Sequence, residues 1–297
     1  MKTESVSEES AELDAKHPMD ALAILLAGQK RALVSVESAI PDLARGAKLM
    51  ADAILGGGKL AYAAAGSSGL MAMADGLELP GTFSIENDRI KILMAGGMSS
   101  LADMLGGTED DLEAARKDVL NAGIGEGDCM IAVSASGNTP YTVTAAKAAA
   151  EAGAKLIGIA NNPNTPLLDC ADIGVLLETP PEIIAGSTRM GAGTAQKAAL
   201  NMMSSLMAMQ LGHVYDGYMI NVRADNKKLR KRAERIVSEI GKCSQAEAVD
   251  YLETTDGAVK TAIMLAAGAG SIQAAQLLID GHGGQLRPAL AAQAESQ

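Results

Sequence analysis

Residues 59 to 69 read Lys-Leu-Ala-Tyr-Ala-Ala-Ala-Gly-Ser-Ser-Gly, and this order narrows the choice of fold more than any other stretch. The apolar run from Leu60 to Ala65 predicts a buried strand. It breaks at Gly66 into Ser67, Ser68 and Gly69, and a helix-compatible run, Leu70 to Leu77, follows. A strand that stops at a small hydroxylated turn and opens into a helix makes an anion site. Free backbone N–H groups at the helix start face the ligand, and the helix dipole favours negative charge. The pattern returns at 128 to 140, where Cys129 to Val133 leads into Ser134-Ala-Ser136-Gly137-Asn138-Thr139-Pro140. Neither loop carries a P-loop lysine, so the pair points to a phosphorylated small molecule rather than a nucleotide. Turn formation and helix capping use the same residue types, and the pattern leaves both roles open.

Between about 59 and 212 strands alternate with helical patterns. The candidate strands are Leu60–Ala65, Ile90–Ala95, Cys129–Ser134, Lys155–Ala160 and Ile173–Leu177. Helical patterns lie near 70–78, 99–105, 110–122, 140–152 and 191–211. This predicts an α/β fold with a parallel sheet covered on both faces, whose ligands bind at the carboxyl ends of the strands. Upstream, residues 1 to about 18 read as a loose polar arm. Asp20 is placed to cap one helix, and Ile40-Pro41 to start a second that ends at Gly56-Gly57-Gly58. Packing or dimer contact is the expected role of these helices. Downstream, Arg223, Lys227, Lys228, Arg230, Lys231, Arg232 and Arg235 form a basic run read as a solvated helix face. Three short helices follow, Ser244–Leu252, Ala258–Ala267 and Ser271–Ile279, then Gly281-His282-Gly283-Gly284. The expected division is an N-terminal arm and helices over 1–49, an α/β domain over 50–213 and a helical region over 214–297.

Composition removes several classes of function. One Phe, five Tyr and no Trp leave no stacking platform for bases, and a net charge of −11 is wrong for a phosphate backbone, so no nucleic acid is expected. The apolar stretches near 21–28 and 261–270 are too short to span a bilayer, so no membrane is expected. The beginning, MKTESVSEESAELDAK, is acidic where a signal peptide is basic and then apolar. Three scattered Cys and three scattered His predict a reduced cytoplasmic protein without disulfides or a metal site.

Two carboxylate motifs follow strand-and-turn units: Asp75-Gly-Leu-Glu78-Leu-Pro80-Gly-Thr82-Phe83 and Gly106-Gly107-Thr108-Glu109-Asp110-Asp111. Carboxylates at a sugar-sized cleft can divide acid and base roles when burial raises one pKa. Acidic residues at a helix start, or on a helix-end surface, give the same pattern. Ser187-Thr188-Arg189 and the run from Gly191 to Lys197 enter a long helix, and Arg189 and Lys197 are candidates to meet a phosphate or carboxylate. No G-x-S-x-G elbow sits at a strand–helix junction.

Taken together, GGGKLAYAAAGSSG, DGLELPGTF, GGTEDD, ASGNTPY, NNPNTP, AGSTRMGAGTAQKAALNMMSS and HGGQLR run in an order that resembles the N-acetylmuramic acid 6-phosphate etherases of the sugar isomerase (SIS) fold group. The resemblance covers nearly the whole chain. A weaker likeness extends to the glucokinase regulatory protein, which binds sugar phosphates without turnover. The resemblance implies a flavodoxin-like SIS domain, a three-layer parallel sheet with N-terminal helices, a small C-terminal all-α domain, and a homodimer with sites near the interface. It implies cleavage of the lactyl ether of a phosphorylated amino sugar, N-acetylmuramic acid 6-phosphate, to N-acetylglucosamine 6-phosphate and D-lactate. The setting it implies is cell-wall sugar recycling in bacterial cytoplasm, without a cofactor. The family's acid and base fall on Glu78 and Glu109. Beside them, the loops and the polar run before the long helix offer Ser67, Ser68, Ser134, Ser136, Gly137, Asn138, Thr139, Ser187, Thr188, Arg189 and Lys197 as the candidate substrate-binding set, with His282 a further candidate. Four positions depart from the family pattern: Leu70 and Asn138 stand where the family usually has Arg, Ser67 where it has Thr and Gly81 where it has Pro. A non-catalytic sugar-phosphate regulator and an aldose–ketose isomerase are the rival readings, and only the etherase releases D-lactate.

Overall fold

The computed structural model describes residues 1–101, 106–222 and 227–296. Arg223 of the basic run and part of the helix expected near 99–105 lie outside the described residues.

The chain forms two compact units. One comprises Met1–Leu77 and Asn87–Leu206, the other Glu78–Glu86 and Met207–Gln297. The first opens with one helix, α1, over Pro18–Leu55. Two helices were expected here. The chain runs through Pro41 because that residue is exposed, where water can serve the carbonyl a proline leaves unpaired. The buried stripe Ala32, Val36, Ala39, Leu43, Ala47 and Met50 continues past it without a break. The helix cap is His17, whose Nδ1 accepts from the Met19 N–H, not Asp20, which lies in the first turn. Positions 49 and 50 both fall inside α1.

The arm is not loose either. The Lys2 N–H donates to Asn162 Oδ1 at 2.8 Å, Asn162 Nδ2 donates to Thr3 Oγ1 at 3.1 Å, and the Gly186 N–H donates to the Thr3 carbonyl at 3.1 Å. Thr3 is buried. These partners lie about 160–180 residues away, beyond reach of any local sequence signal.

Strands β1 (Leu60–Ala64), β2 (Ile90–Met94), β3 (Cys129–Ser134), β4 (Lys155–Ala160) and β5 (Ile173–Leu176) form one parallel sheet in the order β2-β1-β3-β4-β5. β1 and β3 are buried throughout, which explains their unbroken apolar sequences. The connecting helices are α2 (Gly66–Phe83), α3 (Leu112–Ala122), α4 (Pro140–Glu151), the short α5 (Pro166–Asp169) and α6 (Gly191–Gln210). One face of the sheet packs Ala61, Ala63, Met130 and Ala132 under Ala115, Val119, Tyr141, Ala145 and Ala149 of α3 and α4.

In the second unit a hairpin, β6 (Val214–Tyr215) and β7 (Tyr218–Met219), precedes helices α7 (Lys227–Gly241), α8 (Gln245–Thr254), α9 (Val259–Ala266), α10 (Ile272–Gly281) and α11 (Leu286–Glu295). The helix α11 and the hairpin have no counterpart in the sequence reading. Ile236, Val237, Ile263, Met264, Ile279 and Leu286 share its core. Ser244 and Glu247 close α8 with a reciprocal capping box. His213 lies largely buried here, among the described residues its Nδ1 has no hydrogen-bond partner, and burial, then the nearby Lys260, lowers its pKa from 6.5 to about 4. The unfolded chain protonates this ring near pH 6.5 and the folded chain only near 4. Stability is therefore full above pH 6.5 and falls as the pH drops towards 4, by about 3 kcal/mol at most. Thermal melts at pH 7 and pH 4.5 should show this loss, and His213→Asn should flatten it.

Among the described residues no helix is long and apolar enough to cross a membrane.

Candidate active site

After β1 the chain moves outward to β2, and β3 then returns to the other side of β1. This reversal opens a crevice between the carboxyl ends of β1 and β3, the place where doubly wound sheets bind ligands. Ala64 and Val133 are register partners, so the two Ser/Gly loops leave the sheet side by side. The fold therefore brings Ser67 and Ser68 to the same edge as Ser134, Ser136, Gly137, Asn138 and Thr139.

The second loop is tightly built. Ser134 Oγ lies 2.8 Å from Thr139 Oγ1 and 3.2 Å from Ser136 Oγ, and it accepts the Gly137 N–H at 3.1 Å. Ser136 Oγ accepts the Asn138 N–H at 3.1 Å. Gly137 has φ of +69°, and a Cβ there would fall 2.4 Å from Thr165 Oγ1, so only glycine fits. Thr139 stands at the N-cap position of α4, yet its hydroxyl bonds to Ser134 instead of capping the helix. The start of α4 thus keeps its unsatisfied N–H groups and its positive dipole end facing the crevice. Asn138 is exposed and its Nδ2 donates to the Ser136 carbonyl at 2.8 Å, holding the loop where the family pattern has a charged Arg.

The first loop is the first turn of α2 itself. Gly66 opens the helix at φ of +52°, followed by half-buried Ser67 and buried Ser68. Among the described residues the backbone N–H groups of Ser67 and Ser68 have no partner. Over this turn lies Glu109. A Cβ on Gly66 would come within 2.7 Å of Glu109 Oε1. Glu109 sits on a 3₁₀ turn, Gly106–Asp110, that follows β2 and precedes α3. The turn is seated by Gly96, whose missing Cβ leaves room for Thr108 at 2.9 Å. Burial, then the charge of Asp110, raises the Glu109 pKa above the ordinary carboxyl value. A half-buried carboxyl poised over two hydroxyls and a helix start is equipped to take and return a proton.

Glu78 is exposed, three turns further along α2. Leu70, which like Asn138 stands where the family pattern has Arg, is half-buried in the same helix. Ser187, Thr188 and Arg189 lie in a chain of tight turns before α6, where the Gly193 N–H donates to the Thr188 carbonyl at 2.9 Å. Arg189 and Lys197 are exposed, and among the described residues no hydrogen bond joins their segment to either Ser/Gly loop. The N-terminus of α6 is occupied by Glu182, whose carboxylate accepts the Gly191 and Ala192 N–H groups, each at 2.8 Å. Its anion is therefore built into the protein. His282 ends α10, with Nδ1 2.8 Å from the Leu278 carbonyl, an arrangement that satisfies a helix end.

Sequence reasoning assigned no role to three buried polar groups beside the crevice strands. Asn161 and Asn162 follow β4 and bond to Ala135, Leu177, Gln196 and the N-terminal arm. Two amides directly after an apolar strand were their only signal. The third is Asp75, which is buried and bonded to Tyr62, Asn201 and Ser204. Among the described residues no group of three or more His, Cys, Asp or Glu could hold a metal ion.

Comparison with known proteins agrees with this geometry. The SIS domain family matches residues 28–161. An N-acetylmuramic acid 6-phosphate etherase of Deinococcus radiodurans is 43% identical over 290 residues, covering 97% of this chain and 95% of that protein. The protein of the same name in Geobacillus thermodenitrificans is 37% identical and covers 89% of this chain and 90% of its own length. Among solved structures, a phosphoheptose isomerase from Francisella tularensis superposes with a TM-score of 0.51 at 18% identity, over 65% of this chain and 100% of that one. It shares the fold of the sheet domain. Full-length likeness, matched fold and the two anion loops together place this chain in the N-acetylmuramic acid 6-phosphate etherase family, built on a SIS domain.

Proposed function

We propose that this protein is a carbon–oxygen lyase that cleaves the D-lactyl ether of N-acetylmuramic acid 6-phosphate with water, giving N-acetylglucosamine 6-phosphate and D-lactate. The observation that carries this reading is the 43% identity to an etherase over 97% of the chain. The raised carboxyl of Glu109 over the first anion loop supports it.

In the open-chain sugar the C2 proton lies beside the C1 aldehyde and is acidified by it. Glu109 removes that proton, and a raised pKa makes it the stronger base. The lactyl oxygen on C3, β to the aldehyde, then leaves with a proton from Glu78. Water then adds at C3 of the unsaturated aldehyde, giving a proton to the Glu78 carboxylate left by the elimination, and Glu109 returns a proton to C2, which restores both groups. The atoms balance with one acid, one base and water. The 6-phosphate docks on the hydroxyls and free N–H groups of the Ser67–Ser68 and Ser134–Thr139 loops. Held far from C2 and C3, it fixes the reacting atoms in place. Ser187, Thr188, Arg189 and Lys197 are proposed to complete the substrate contacts, with the two cations serving its anionic groups. His282 is proposed as an outer contributor.

We place the enzyme in the cytoplasm, in recycling of peptidoglycan sugars, and as a homodimer. α1 supports the last point. Met19, Leu26, Leu33 and Ile40 recur every seven residues, Leu22 joins them, and all five are exposed, Leu22 at 59% and Leu26 at 56%. A sevenfold apolar seam of this kind suits a second helix. Replacing Leu22 and Leu26 together by Glu should turn a dimer into a monomer in sedimentation velocity.

The test of function is D-lactate release from N-acetylmuramic acid 6-phosphate by the native protein. Release supports the etherase. Tight binding of hexosamine 6-phosphates without release supports the regulator, and interconversion of an aldose and a ketose phosphate supports the isomerase.

A further inference from the structure

We infer that Asp75 is a positioning residue for Glu78, its buried carboxylate fixing the roll of the second half of α2 and with it the direction in which Glu78 presents its acid. The inference rests on the etherase reading, in which Glu78 protonates the leaving oxygen.

Asp75 is only 4% exposed, and its two oxygens reach two different elements. Oδ2 accepts from Tyr62 OH at 2.8 Å, and Tyr62 is fully buried in the middle of β1. Oδ1 accepts from Asn201 Nδ2 at 2.7 Å and from Ser204 Oγ at 2.8 Å, both on α6. One carboxylate therefore ties α2 to the sheet and to a neighbouring helix. Gly76 brings the helix close enough for this: a Cβ there would meet Tyr62 Cδ2 at 3.0 Å and Ile92 Cδ1 at 2.8 Å. Burying a carboxylate is costly even when it is well bonded, and an apolar residue would pack the same space more cheaply.

The position along the helix gives the clamp its use. Glu78 follows three residues later, about 60° round the axis and roughly 4.5 Å along it. Pro80 lies inside the same helix and cannot donate to the Gly76 carbonyl, so the turn carrying Glu78 lacks a hydrogen bond. With its own ladder weakened, that turn depends on the anchor just before it. A roll of about 20° would swing a glutamate carboxyl by roughly 2 Å. Misplacement by about 1 Å is enough to slow a reaction on the order of a hundredfold. Ser134–Thr139 and Glu109 lie on other elements, and Ser67 and Ser68 lie about two turns before Asp75 at the far end of α2, so ground-state binding of the phosphate and proton abstraction at C2 escape a change confined to the turn after Asp75.

The test separates these steps. Asp75→Ala, Asp75→Asn and the native protein are compared for D-lactate release, with kcat and KM resolved, and for exchange of the C2 proton of N-acetylglucosamine 6-phosphate with deuterated water. Asp75→Ala should lower kcat for release by about 100-fold, leave KM within about threefold, and leave C2 exchange near the native rate. Asp75→Asn should recover most of the release. Its amide oxygen still accepts from Asn201 and Ser204, and the Tyr62 hydroxyl can turn to accept. Should Asp75→Ala fail to fold, Ser204→Ala removes one donor and should give a several-fold fall in release with exchange intact. Equal loss of release and exchange in these variants would overturn the positioning role, as would unchanged release, or an Asp75→Asn variant as poor as Asp75→Ala. Native protein that exchanges nothing and releases no D-lactate sinks the etherase reading itself, and this role with it.

Discussion

Glu109→Gln should lower D-lactate release by about 10²–10⁴-fold and abolish C2 proton exchange along with it. Glu78→Gln should lower release by a similar factor but leave the exchange running, because only the departing oxygen needs its proton. The split follows from the roles and from the local geometry. Glu109 lies over the start of α2 with its pKa raised by burial and by Asp110. As the base it must be ionised, so the raised pKa moves the acid limb of kcat/KM above the pH at which an ordinary glutamate would set it. Activity should fall as the pH drops through that raised value and recover when the pH is restored. Loss of exchange in Glu78→Gln with retention in Glu109→Gln would reverse the two assignments.

Gly66→Ala should be nearly as damaging, although it removes no functional group. The new Cβ would sit 2.7 Å from Glu109 Oε1, well inside contact distance. Gly66 also has φ of +52°, a region that costs an alanine about 1 kcal/mol. The carboxyl must move away from the crevice, and kcat should fall about 100-fold with only a small drop in Tm. Gly127→Ala separates the two effects. Its φ is +85° but nothing lies within 4 Å of the added Cβ, so it carries the backbone strain without the clash. That variant should lose a comparable amount of stability and keep its activity. A Gly66→Ala enzyme as active as Gly127→Ala would show that Glu109 does not work from the position over α2.

β1 and β3 were the most legible strands because each is an apolar run ended by small residues, and burial along their whole length demands such a run. The anion loops were legible for the same reason, since Ser67–Ser68 and Ser134–Thr139 follow those runs directly. Other features were hidden by distance or by local rules that tertiary packing overrode. Pro41 reads as a helix start, yet a buried stripe on the opposite face carries α1 past it. The arm looks unattached, yet Thr3 is held by Asn162 and Gly186, partners no local pattern can reveal. The pairing of Glu109 with Gly66 spans two strand-and-turn units and appears only when the sheet is assembled. The acid and base roles themselves came from the family resemblance, because on pattern alone both glutamates also suit helix ends. Asp75 was visible as a neighbour of Glu78, but a one-dimensional reading cannot show that three donors converge on it.

The most direct measurement is the reaction run in water enriched in ¹⁸O and deuterium, with both products analysed by mass spectrometry and NMR. Elimination and hydration place the ¹⁸O on C3 of N-acetylglucosamine 6-phosphate and deuterium on its C2, and leave the D-lactate free of ¹⁸O. Label in the lactate hydroxyl, with none on the sugar and no deuterium at C2, would mean that water attacks the lactyl carbon, and would contradict the acid–base account of Glu78 and Glu109.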